Sequence, residues 1–508
     1  MEHTTPTVYT PADSSPASLP SSALTLPSTE SLIYRRLAEH YLSAIHAGTL
    51  APGARMPSVR ELMRLHQVSL STALQSLRHL ETGGWLEARP RSGYFVRQPR
   101  RASLRPMDEP NISRPLDSAQ FVGIHEQVSE FISRRQQQPP VIDLSGMTCA
   151  PELYAAEALK TAAMRALRDN PLLLTSVMPT NGNLHFRQVV ARRALDSGVR
   201  ISADEVVVTH GCIEALNLAL RAVANAGDTI AVESPTYFGL LQTLESLGMR
   251  ALEIPTSPQS GISIEALQLA FQTHANIKAV VVVPTLQNPL GCIMSDAHKQ
   301  RLVEVCEQHR VALIEDDAYS ELTDTEVPPA AAKAWDRSGN VIHCVSLNKV
   351  LAPGMRLGWI SSGKWHERVK MLKFAHMRAS EEWTQITAAN YMASPAYDRH
   401  LRRLRATLKQ QREQMAEAIA AYFPQQTRLN LPRGGIGLWI ELPDGLCSKA
   451  LFKAALEEGI GLSPGIIFSN SHRFDHYVRL SCGKPFNREL DQAIRRLGML
   501  VTNLKRST

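Results

Sequence analysis

Two residues of this sequence combine useful chemistry with a suitable position. Lys349 lies in a loop directly after an apolar run typical of a buried strand, and Asp316 ends another such run. A lysine amine forms a Schiff base with an aldehyde, and a carboxylate keeps a pyridine nitrogen protonated. Because open α/β sheets bind ligands beyond the carboxyl ends of their strands, both residues are candidates for one site that holds an aldehyde cofactor.

The lysine loop SLNKVLAPGMRLG (346–358) and the strand end EDDAY (315–319) are accompanied by four further motifs. These are THGCIEAL (209–216), ESPTY (233–237), QNPLG (287–291) and VRLS (478–481). The first lies between a strand and a helix, where free backbone amides bind phosphate. The last contains an arginine, which grips a carboxylate with two parallel hydrogen bonds. Each motif alone is weak, since Asn-Pro-x-Gly is usually a turn, but their conjunction favours a cofactor site.

In this order the six motifs resemble those of fold-type I, class I and II aminotransferases. The resemblance implies pyridoxal 5'-phosphate (PLP) as the cofactor, with Lys349 as the catalytic lysine that forms the aldimine. The residues that it assigns to the cofactor are Asp316 at the pyridine nitrogen, Tyr237 stacked on the ring, Tyr319 and Asn288 at the phenolic oxygen, and Gly211, Cys212, Ile213, Ser346 and Arg356 at the phosphate. It assigns Arg479 to the carboxylate of a substrate or effector. His210 and Ile213 depart from the family, which more often has Ser and Gln there, so we expect the phosphate to rest mainly on backbone donors.

The elements that must position these residues indicate an α/β fold. Short apolar runs at 206–208, 230–232, 279–283, 311–314 and 341–345 alternate with helical patterns. Continuous apolar runs suit strands covered on both faces, as in a mostly parallel sheet. Charged helices at 401–421 and 448–458 then flank short strands at 437–442 and 477–481. We predict an aminotransferase-like body over 141–508, with a large α/β lobe at about 141–390 and a small α+β lobe at about 391–508.

Upstream of the body, residues 31–97, called the head below, have the pattern of three helices and a wing. A first helix carries Ile33, Leu37, Tyr41 and Ile45 on one face and stops at Gly48. Ser58 and Glu61 form a capping box for a second helix. A third helix starts near Ser69, turns Ala73, Leu74, Leu77 and Leu80 inward, and ends at Gly83-Gly84. Two strand-like runs, 85–89 and 94–97, are joined by a Pro-Arg-Ser-Gly turn and form the wing.

Positive charge is concentrated in and just after the head. From Ser31 to Arg105 there are 12 arginines, no lysines, four glutamates and no aspartates, so 12 minus 4 gives +8, against +7 for the whole chain. Nucleic-acid binding needs positive charge gathered on one domain. The third helix is polar enough on its outer face to enter a major groove, and the arginines of the wing can reach phosphates or the minor groove.

The motifs PGARMPSVREL (52–62) and RPRSGYFV (89–96) resemble the GntR-type winged helix-turn-helix. The resemblance implies that the partner is double-stranded operator DNA. The residues expected to contact DNA are Ser58, Arg60, Ser69, Ser71, Thr72, Gln75, Arg78, Arg89, Arg91, Ser92 and Gly93. Leu70 stands where the family usually has Arg, so one common phosphate or base contact is absent.

Composition bounds the remaining segments. Residues 1–30 contain 17 Ser, Thr or Pro residues, which predicts a disordered tail. Residues 98–140 form a linker in which Phe121, Ile124, Val128 and Phe131 recur at helical spacing, so we predict one amphipathic helix there. Seven scattered cysteines without paired spacing indicate reduced thiols, a cytoplasmic location and no zinc motif. No apolar run reaches the ~18 residues that span a bilayer, and no signal peptide precedes the head.

The combination of head and body resembles the MocR-type regulators. The resemblance implies a homodimer that uses PLP, or an amino acid or amine reacting with it, as its effector signal. Two alternatives stay open at this point. One is an active PLP-dependent aminotransferase with an accessory winged helix, and the other is a DNA-binding repressor whose body binds no cofactor.

Overall fold

The computed structural model describes residues 29–46, 49–51, 53–82, 85–89, 92–96, 104–112, 116–443 and 445–507. The chain divides into two compact units between Arg101 and Ala102. The first unit contains the head, and the second contains most of the linker and the body. A disordered tail was predicted for residues 1–30. Residues 1–28 lie outside the described residues, and the first helix begins at Thr29.

The head consists of α1 (Thr29–His46), α2 (Val59–His66), α3 (Leu70–Thr82) and an antiparallel pair, β1 (Leu86–Arg89) with β2 (Gly93–Val96). The predicted capping box is confirmed, since Ser58 Oγ accepts from the backbone of Glu61 at 3.3 Å and Glu61 accepts from the backbone of Ser58 at 2.7 Å. Leu37, Leu62 and Leu77 lie in one buried core. Of the residues predicted on one face of the first helix, Leu37 and Tyr41 are buried, whereas Ile33 is 41% exposed. The helix stops predicted at Gly48 and Gly83-Gly84 lie outside the described residues.

The body is built around one large sheet with the strand order β3-β7-β6-β9-β10-β11-β12-β5, on which β8 pairs with β7. Its strands are β3 (Gln120–Phe121), β5 (Val206–Thr209), β6 (Thr229–Ser234), β7 (Arg250–Ser257), β8 (Gly261–Ile262), β9 (Ile277–Val282), β10 (Ala312–Asp317), β11 (Val341–Ser346) and β12 (Gly358–Ser361). The strands β6, β7, β9, β10 and β11 are mutually parallel, whereas β12 runs antiparallel to both β11 and β5. All five predicted apolar strands are confirmed within a few residues.

A second, antiparallel sheet forms the small lobe, in the order β13-β14-β17-β16. Its strands are β13 (Arg428–Leu429), β14 (Gly437–Glu441), β16 (Ser463–Pro464) and β17 (Tyr477–Ser481). A separate parallel pair, β4 (Ile142–Asp143) with β15 (Ile460–Gly461), ties the start of the body to the small lobe. The helices of the second unit are α4 (His125–Gln137), α5 (Ala156–Asp169), α6 (Leu184–Ala194), α7 (Cys212–Val223), α8 (Phe238–Ser246), α9 (Ile264–Thr273), α10 (Asp296–Gln308), α11 (His366–Met377), α12 (Glu382–Met392), α13 (Pro395–Tyr422), α14 (Ser448–Glu457) and α15 (Arg488–Ser507).

The linker contains the predicted helix, α4, but the helix begins later than expected. Phe121 lies in β3 at the edge of the large sheet and is 56% exposed, so it does not belong to the apolar face of the helix. Val128 and Phe131 are buried, and the Phe131 ring lies 5.4 Å from Phe452 and 6.4 Å from Phe238, measured between ring centres. The linker helix is therefore packed into the second unit.

Candidate functional site

The carboxyl ends of β10 and β11 and the start of α7 surround a cavity of about 220 Å³. Nearly all the predicted cofactor residues line it, although they come from distant segments of the chain. They are Cys212, Ile213, Tyr237, Asn288, Asp316, Tyr319, Ser346, Lys349 and Arg356, and Arg479, predicted to bind the carboxylate of a substrate or effector, lines the same cavity. Gly211 does not line the cavity itself but immediately precedes Cys212. The structure thus brings the six motifs to one place.

Lys349 has the surroundings of a reactive amine. Its Nζ donates to the main-chain oxygen of Met147 at 2.5 Å and lies 5.9 Å from the centre of the Tyr319 ring. Burial, followed by the charges of Arg479 and Arg356, lowers the pKa of Lys349 to about 8. A larger share of this amine is therefore neutral near pH 7 than for a lysine in water, and the neutral amine is the form that attacks a carbonyl carbon.

Asp316, near the end of β10, is a buried carboxylate with no salt bridge among the described residues. Its Oδ1 accepts a hydrogen bond from Cys212 Sγ at 2.8 Å. Burial, together with the neighbouring charge of Asp317, raises the pKa of Asp316 to about 6, although the Cys212 hydrogen bond opposes the shift. A buried charge needs a partner, so this site fits a ligand that presents a protonated ring nitrogen.

Asp317, the next residue, has a different partner because successive side chains of a strand point to opposite faces. Its Oδ2 lies 3.2 Å from Nε2 of His343. Burial opposes ionisation, but the bond and charge of His343 hold the pKa of Asp317 below its ordinary value. Asp317 and His343 line a second cavity of about 60 Å³, which Asp316 does not line. Of these two carboxylates, only Asp316 therefore lines the first cavity.

The start of α7 has the geometry of an anion site. Gly211 is the N-cap residue with φ +79°, and no side chain caps the first turn of the helix. A Cβ at position 211 would lie 2.6 Å from Nδ2 of Asn348 and 3.8 Å from Oγ of Ser346. The guanidinium of Arg356 donates to the main-chain oxygen of His210 at 3.4 Å. Helix-start amides beside an arginine and a hydroxyl suit a phosphate.

His210, one of the two departures from the family pattern, belongs to a charged cluster beside this helix start. Its ring nitrogens lie 3.1 Å from Glu214 Oε2 and 3.0 Å from Glu381 Oε2. The hydrogen bonds that the His210 ring donates to Glu214 and Glu381 raise the pKa of His210 to about 9. Lys373 Nζ donates to the other oxygen of Glu214 at 2.7 Å. The unusual histidine is thus a cation matched by two carboxylates, a contact that the sequence did not predict.

Arg479, on β17, is buried with 3% of its surface exposed. Its two terminal nitrogens donate to Asn288 Oδ1 and to the main-chain oxygen of Ser145, both at 2.8 Å. Its Nε has no hydrogen-bond partner among the described residues. Burial lowers the pKa of Arg479 to about 10. Because neutral oxygens occupy this arginine in the absence of an anion, the site can accept a carboxylate.

Tyr237 lies at the N-cap of α8, and its ring packs onto Gly239, where a Cβ would come within 2.5 Å of the ring. Tyr319 is buried, and burial raises its pKa. Asn288, predicted to share a ligand contact with Tyr319, lines the same cavity as Tyr319, and its side-chain oxygen accepts from Arg479 at 2.8 Å.

Nine lining residues were not among the predicted site residues: Phe131, Arg135, Ser145, Gly146, Met147, Phe238, Val283, Ala318 and Asn348. Asn348 could have been included in the prediction, because it adjoins Lys349 in the lysine loop. Its side-chain oxygen accepts from the backbone of Leu357 at 3.0 Å and closes this loop. Ser145 and Met147 act through main-chain oxygens, which no residue type signals.

The predicted DNA-binding residues of α2 and α3 fall mostly on the surface of the head. Those that are exposed are Ser58, Arg60, Ser69, Ser71, Gln75 and Arg78. Thr72 is only 4% exposed, and its hydroxyl lies 2.8 Å from that of Ser69. Its predicted place on the exposed face was wrong, because its side chain turns inward, while its backbone donates to Ser69 Oγ at 3.1 Å at the start of α3.

The wing exposes Arg89, Ser92 and Gly93, while Arg91 lies outside the described residues. The Arg89 guanidinium donates to Glu87 at 2.7 Å and lies 4.3 Å from the centre of the Phe95 ring. Arg55, which the prediction omitted, is exposed and pairs with Phe95 through a backbone bridge. Its side chain comes close to Gly93, so it extends the basic surface at the wing.

Comparison with known proteins covers both units. The family model "Bacterial regulatory proteins, gntR family" matches residues 33–96, and "Aminotransferase class I and II" matches residues 151–497. The chain is 35% identical over 471 residues to the uncharacterized HTH-type transcriptional regulator YjiR of Escherichia coli K12, which covers 92% of this chain and 98% of that protein. The chain belongs to the MocR-type regulators.

A second MocR-type relative, the uncharacterized HTH-type transcriptional regulator YdcR of Escherichia coli K12, is 34% identical over 468 residues and covers 92% of this chain and 98% of its own. Among solved structures, kynurenine aminotransferase of Pyrococcus horikoshii in complex with PMP matches with a TM-score of 0.69 and 26% identity, over 74% of this chain and 94% of that one. This MocR-type regulator thus joins a winged helix to an aminotransferase fold. None of its helices, within the residues that the structure describes, has the length and apolar character needed to cross a bilayer.

Proposed function

We propose that this MocR-type protein is a PLP-dependent transcription regulator. In this proposal its winged helix binds operator DNA in the cytoplasm, and its body senses PLP, or an amino compound that reacts at the PLP site, through Lys349. The observation that carries the proposal is that Lys349, Asp316 and Arg479 line one cavity in a chain that also carries a winged helix.

The residues of the cavity fit PLP. Asp316 lacks a cationic partner among the described side chains and would hold the protonated ring nitrogen, while Tyr237 would cover one face of the ring. The start of α7, with Ser346 and Arg356, would hold the phosphate. When bound, PLP supplies an aldehyde that bonds to an amine and a ring that withdraws electrons from the bound amino compound.

Lys349 is the residue on which sensing depends. With a pKa of about 8, roughly 10% of its amines are neutral at pH 7, against fewer than about 0.1% for a lysine in water. When PLP is bound, the Lys349 amine would hold it, and Arg479 would be available to the carboxylate of an amino compound once it leaves the main-chain oxygen of Ser145. A Lys349 amine that is not bound to the cofactor has the main-chain oxygen of Met147 as its partner.

The signal passes to DNA in a homodimer, in which two heads read two half-sites. The small lobe supplies Arg479 through β17, so an effector that binds Arg479 favours closure of this lobe on the large one. Closure shifts the spacing of the heads only to the extent that the effector binds the closed state more tightly than the open state.

The test is a titration of amino acids and amines against operator binding, measured by fluorescence anisotropy with PLP present. We expect the wild-type protein to change its operator affinity with at least one compound, and Lys349→Ala to lose that response while it still binds DNA. Lys370→Ala, which removes a half-buried lysine paired with Glu367 at 3.1 Å, is the matched control and keeps the response. Identical responses of wild type and Lys349→Ala would exclude exchange at Lys349 as the switch.

A second candidate is an active aminotransferase with an accessory head. It is favoured by one observation, namely that the lysine, the aspartate and both arginines predicted for the reaction all line the cavity. Sustained amino-group transfer to a 2-oxo acid at ordinary enzyme rates, roughly 1 to 10³ per second, would promote this candidate. Operator binding that responds to an amino compound without turnover would support the regulator instead.

A further inference from the structure

Asp316 must stay ionised in a buried place if it is to hold a protonated ring nitrogen. It is 7% exposed, and among the described residues its carboxylate accepts one hydrogen bond, which Cys212 Sγ donates to Oδ1 at 2.8 Å. Burial opposes the ionised form of a carboxylate, whereas a donated hydrogen bond favours it. The charge of Asp316 therefore depends on the side chain of Cys212.

The thiol of Cys212 is in the state that a donor requires. Cys212 is 8% exposed, and burial, followed by the charge of Asp316, raises the pKa of its thiol well above the ordinary value. The proton therefore stays on the sulfur. Cys212 Sγ also lies 3.4 Å from the main-chain oxygen of Cys344, but a thiol has only one proton to donate. Because an ionised acceptor is the stronger one and also the nearer one here, that proton goes to Asp316.

Cys212 is also the first residue of α7, the helix whose start would hold the cofactor phosphate. The sequence analysis assigned Cys212 to that phosphate, and a backbone amide is what a helix start offers an anion. The side chain of Cys212 has a different contact, since it reaches Asp316 in the cavity that both residues line. One residue thus belongs to the phosphate end of the site through its backbone and to Asp316 through its side chain.

We propose that Cys212 is a positioning residue of the PLP site, whose thiol keeps the Asp316 carboxylate ionised and oriented for the ring nitrogen. The thiol occupies Oδ1, and the described residues offer Oδ2 no hydrogen bond, so Oδ2 is the oxygen left for the cofactor. This inference rests on the proposed function, because it takes Asp316 to the ring nitrogen of PLP. Its consequence is that the side chain at position 212, and not only its backbone, determines how PLP binds.

The other titratable groups that act on Asp316 come from its own strand and from the elements around the cavity. They are Glu233, Tyr237, Glu315, Asp317, Tyr319, Cys344 and Lys349. Burial is the largest influence on the pKa of Asp316 and raises it, and the hydrogen bond from Cys212 is the largest that lowers it. Since the other groups are the same in every Cys212 variant, a difference in pH dependence between these variants reports on this hydrogen bond.

The test measures the affinity of the full-length protein for PLP, by titration of the visible absorbance of the cofactor, from about pH 5 to about pH 9. We expect Cys212→Ala to bind PLP about 10-fold or more weakly than wild type near pH 7, as for a lost hydrogen bond to a charged group. Without the donor Asp316 takes up its proton more readily, so the fall in affinity toward acid pH should begin about one pH unit higher in Cys212→Ala. Cys212→Ser keeps a donor and should stay within about 3-fold of wild type at each pH.

Cys306→Ala is the matched control, since Cys306 is a fully buried cysteine of α10 in a separate core cluster. It should keep the PLP affinity and the pH profile of wild type. The inference is overturned if Cys212→Ala binds PLP like wild type, if it loses affinity equally at every pH, as expected for a merely structural side chain, or if Cys212→Ser behaves like Cys212→Ala.

Failure of the proposed function has different signatures. A wild-type protein that takes up no PLP overturns both the proposed function and the role of Cys212. A protein that binds PLP with the expected pH profiles, but whose operator binding ignores PLP and every amino compound, contradicts the proposed sensing and leaves the role of Cys212 supported.

Discussion

The head and the body of this protein differ in how far apart in the sequence their contacting residues lie. In the head, the capping box joins Ser58 to Glu61, three residues apart, and the wing pairs two strands across a short turn. In the body, Arg479 binds Asn288 and Ser145, which are 191 and 334 residues away from it. Short-range contacts build the DNA-binding unit, whereas the cofactor site exists only when the whole body has folded.

This difference implies that the two functions can be damaged separately. A defect in the head should abolish DNA binding and leave cofactor binding intact, while a defect in a loop of the body should have the opposite effect. The following changes test that separation, beginning with the largest expected effect.

Leu77→Ala should unfold the head alone. Leu77 is 1% exposed in the core of the head. The cavity left behind costs about 2–5 kcal/mol of unfolding free energy, which is a large part of the stability of so small a unit. We expect operator binding to be lost while the cofactor absorbance and the thermal transition of the body are unchanged. Leu65→Ala, at a position that is 59% exposed, is the control. A body transition that moves with Leu77→Ala would contradict independent units.

Gly358→Ala should damage the phosphate end of the cofactor site. A Cβ at this position would lie 2.4 Å from the main-chain oxygen of Val345 and 2.8 Å from Cα of Gly211, so backbone would have to move. We expect a loss of about 1–3 kcal/mol in the stability of the body and weaker PLP binding, measured by absorbance titration. Gly354→Ala, in the same loop with nothing within 4 Å of its Cβ, should behave as wild type. Equal effects at both positions would argue against the close contact with Gly211.

Changes at Ser58 separate stability from DNA contact in the head. Ser58→Ala removes the cap of α2 and should cost about 1 kcal/mol, measured by denaturant unfolding of the head. Ser58→Asp keeps a capping oxygen and most of the stability, but it adds a negative charge at a predicted DNA contact. Operator affinity should therefore fall more in Ser58→Asp than in Ser58→Ala. The reverse order would remove Ser58 from the DNA interface.

The smallest expected effect is the contribution of His210 to the pH dependence of the body's stability. Its partners Glu214 and Glu381 raise its pKa from 6.5 to about 9. Because the folded pKa lies above the ordinary value, the stabilisation is complete below about pH 6.5 and is lost as the pH rises through about 9. His210→Gln should thus destabilise the body by up to about 1 kcal/mol near pH 6 and by less near pH 10. Thermal melts at both pH values measure this difference, and His185→Gln, at an exposed position, is the control.

Much of the fold follows from local pattern. The mostly apolar runs at 279–283 and 341–345 locate β9 and β11 because a strand covered on both faces has few polar positions. The resemblance of the ordered motifs to those of aminotransferases predicts residues that line one cavity, which lies where the carboxyl ends of parallel strands meet. Ser58 with Glu61 predicts the start of α2 because the capping box is complete within four residues.

The residues that the sequence-based predictions placed wrongly or left out also have physical explanations. Thr72 is polar and lies near the start of a helix, and periodicity did not reveal that its hydroxyl turns inward to Ser69. Phe121 continues the apolar spacing of α4 but lies in an edge strand, because β7 offers it a backbone partner. The segment 143–147 and Arg135 join the site through main-chain oxygens and long-range packing, for which a single sequence has no local signal.

The most direct test of the account is a footprint of the full-length protein on the DNA upstream of its own gene, recorded without PLP, with PLP, and with PLP plus an amino compound. We expect a protected region in at least one state, and a change in its extent or affinity when PLP or the amino compound is added. Lys349→Ala should protect the same DNA without that change. Identical protection in all three states would contradict the claim that the body senses a ligand for the head.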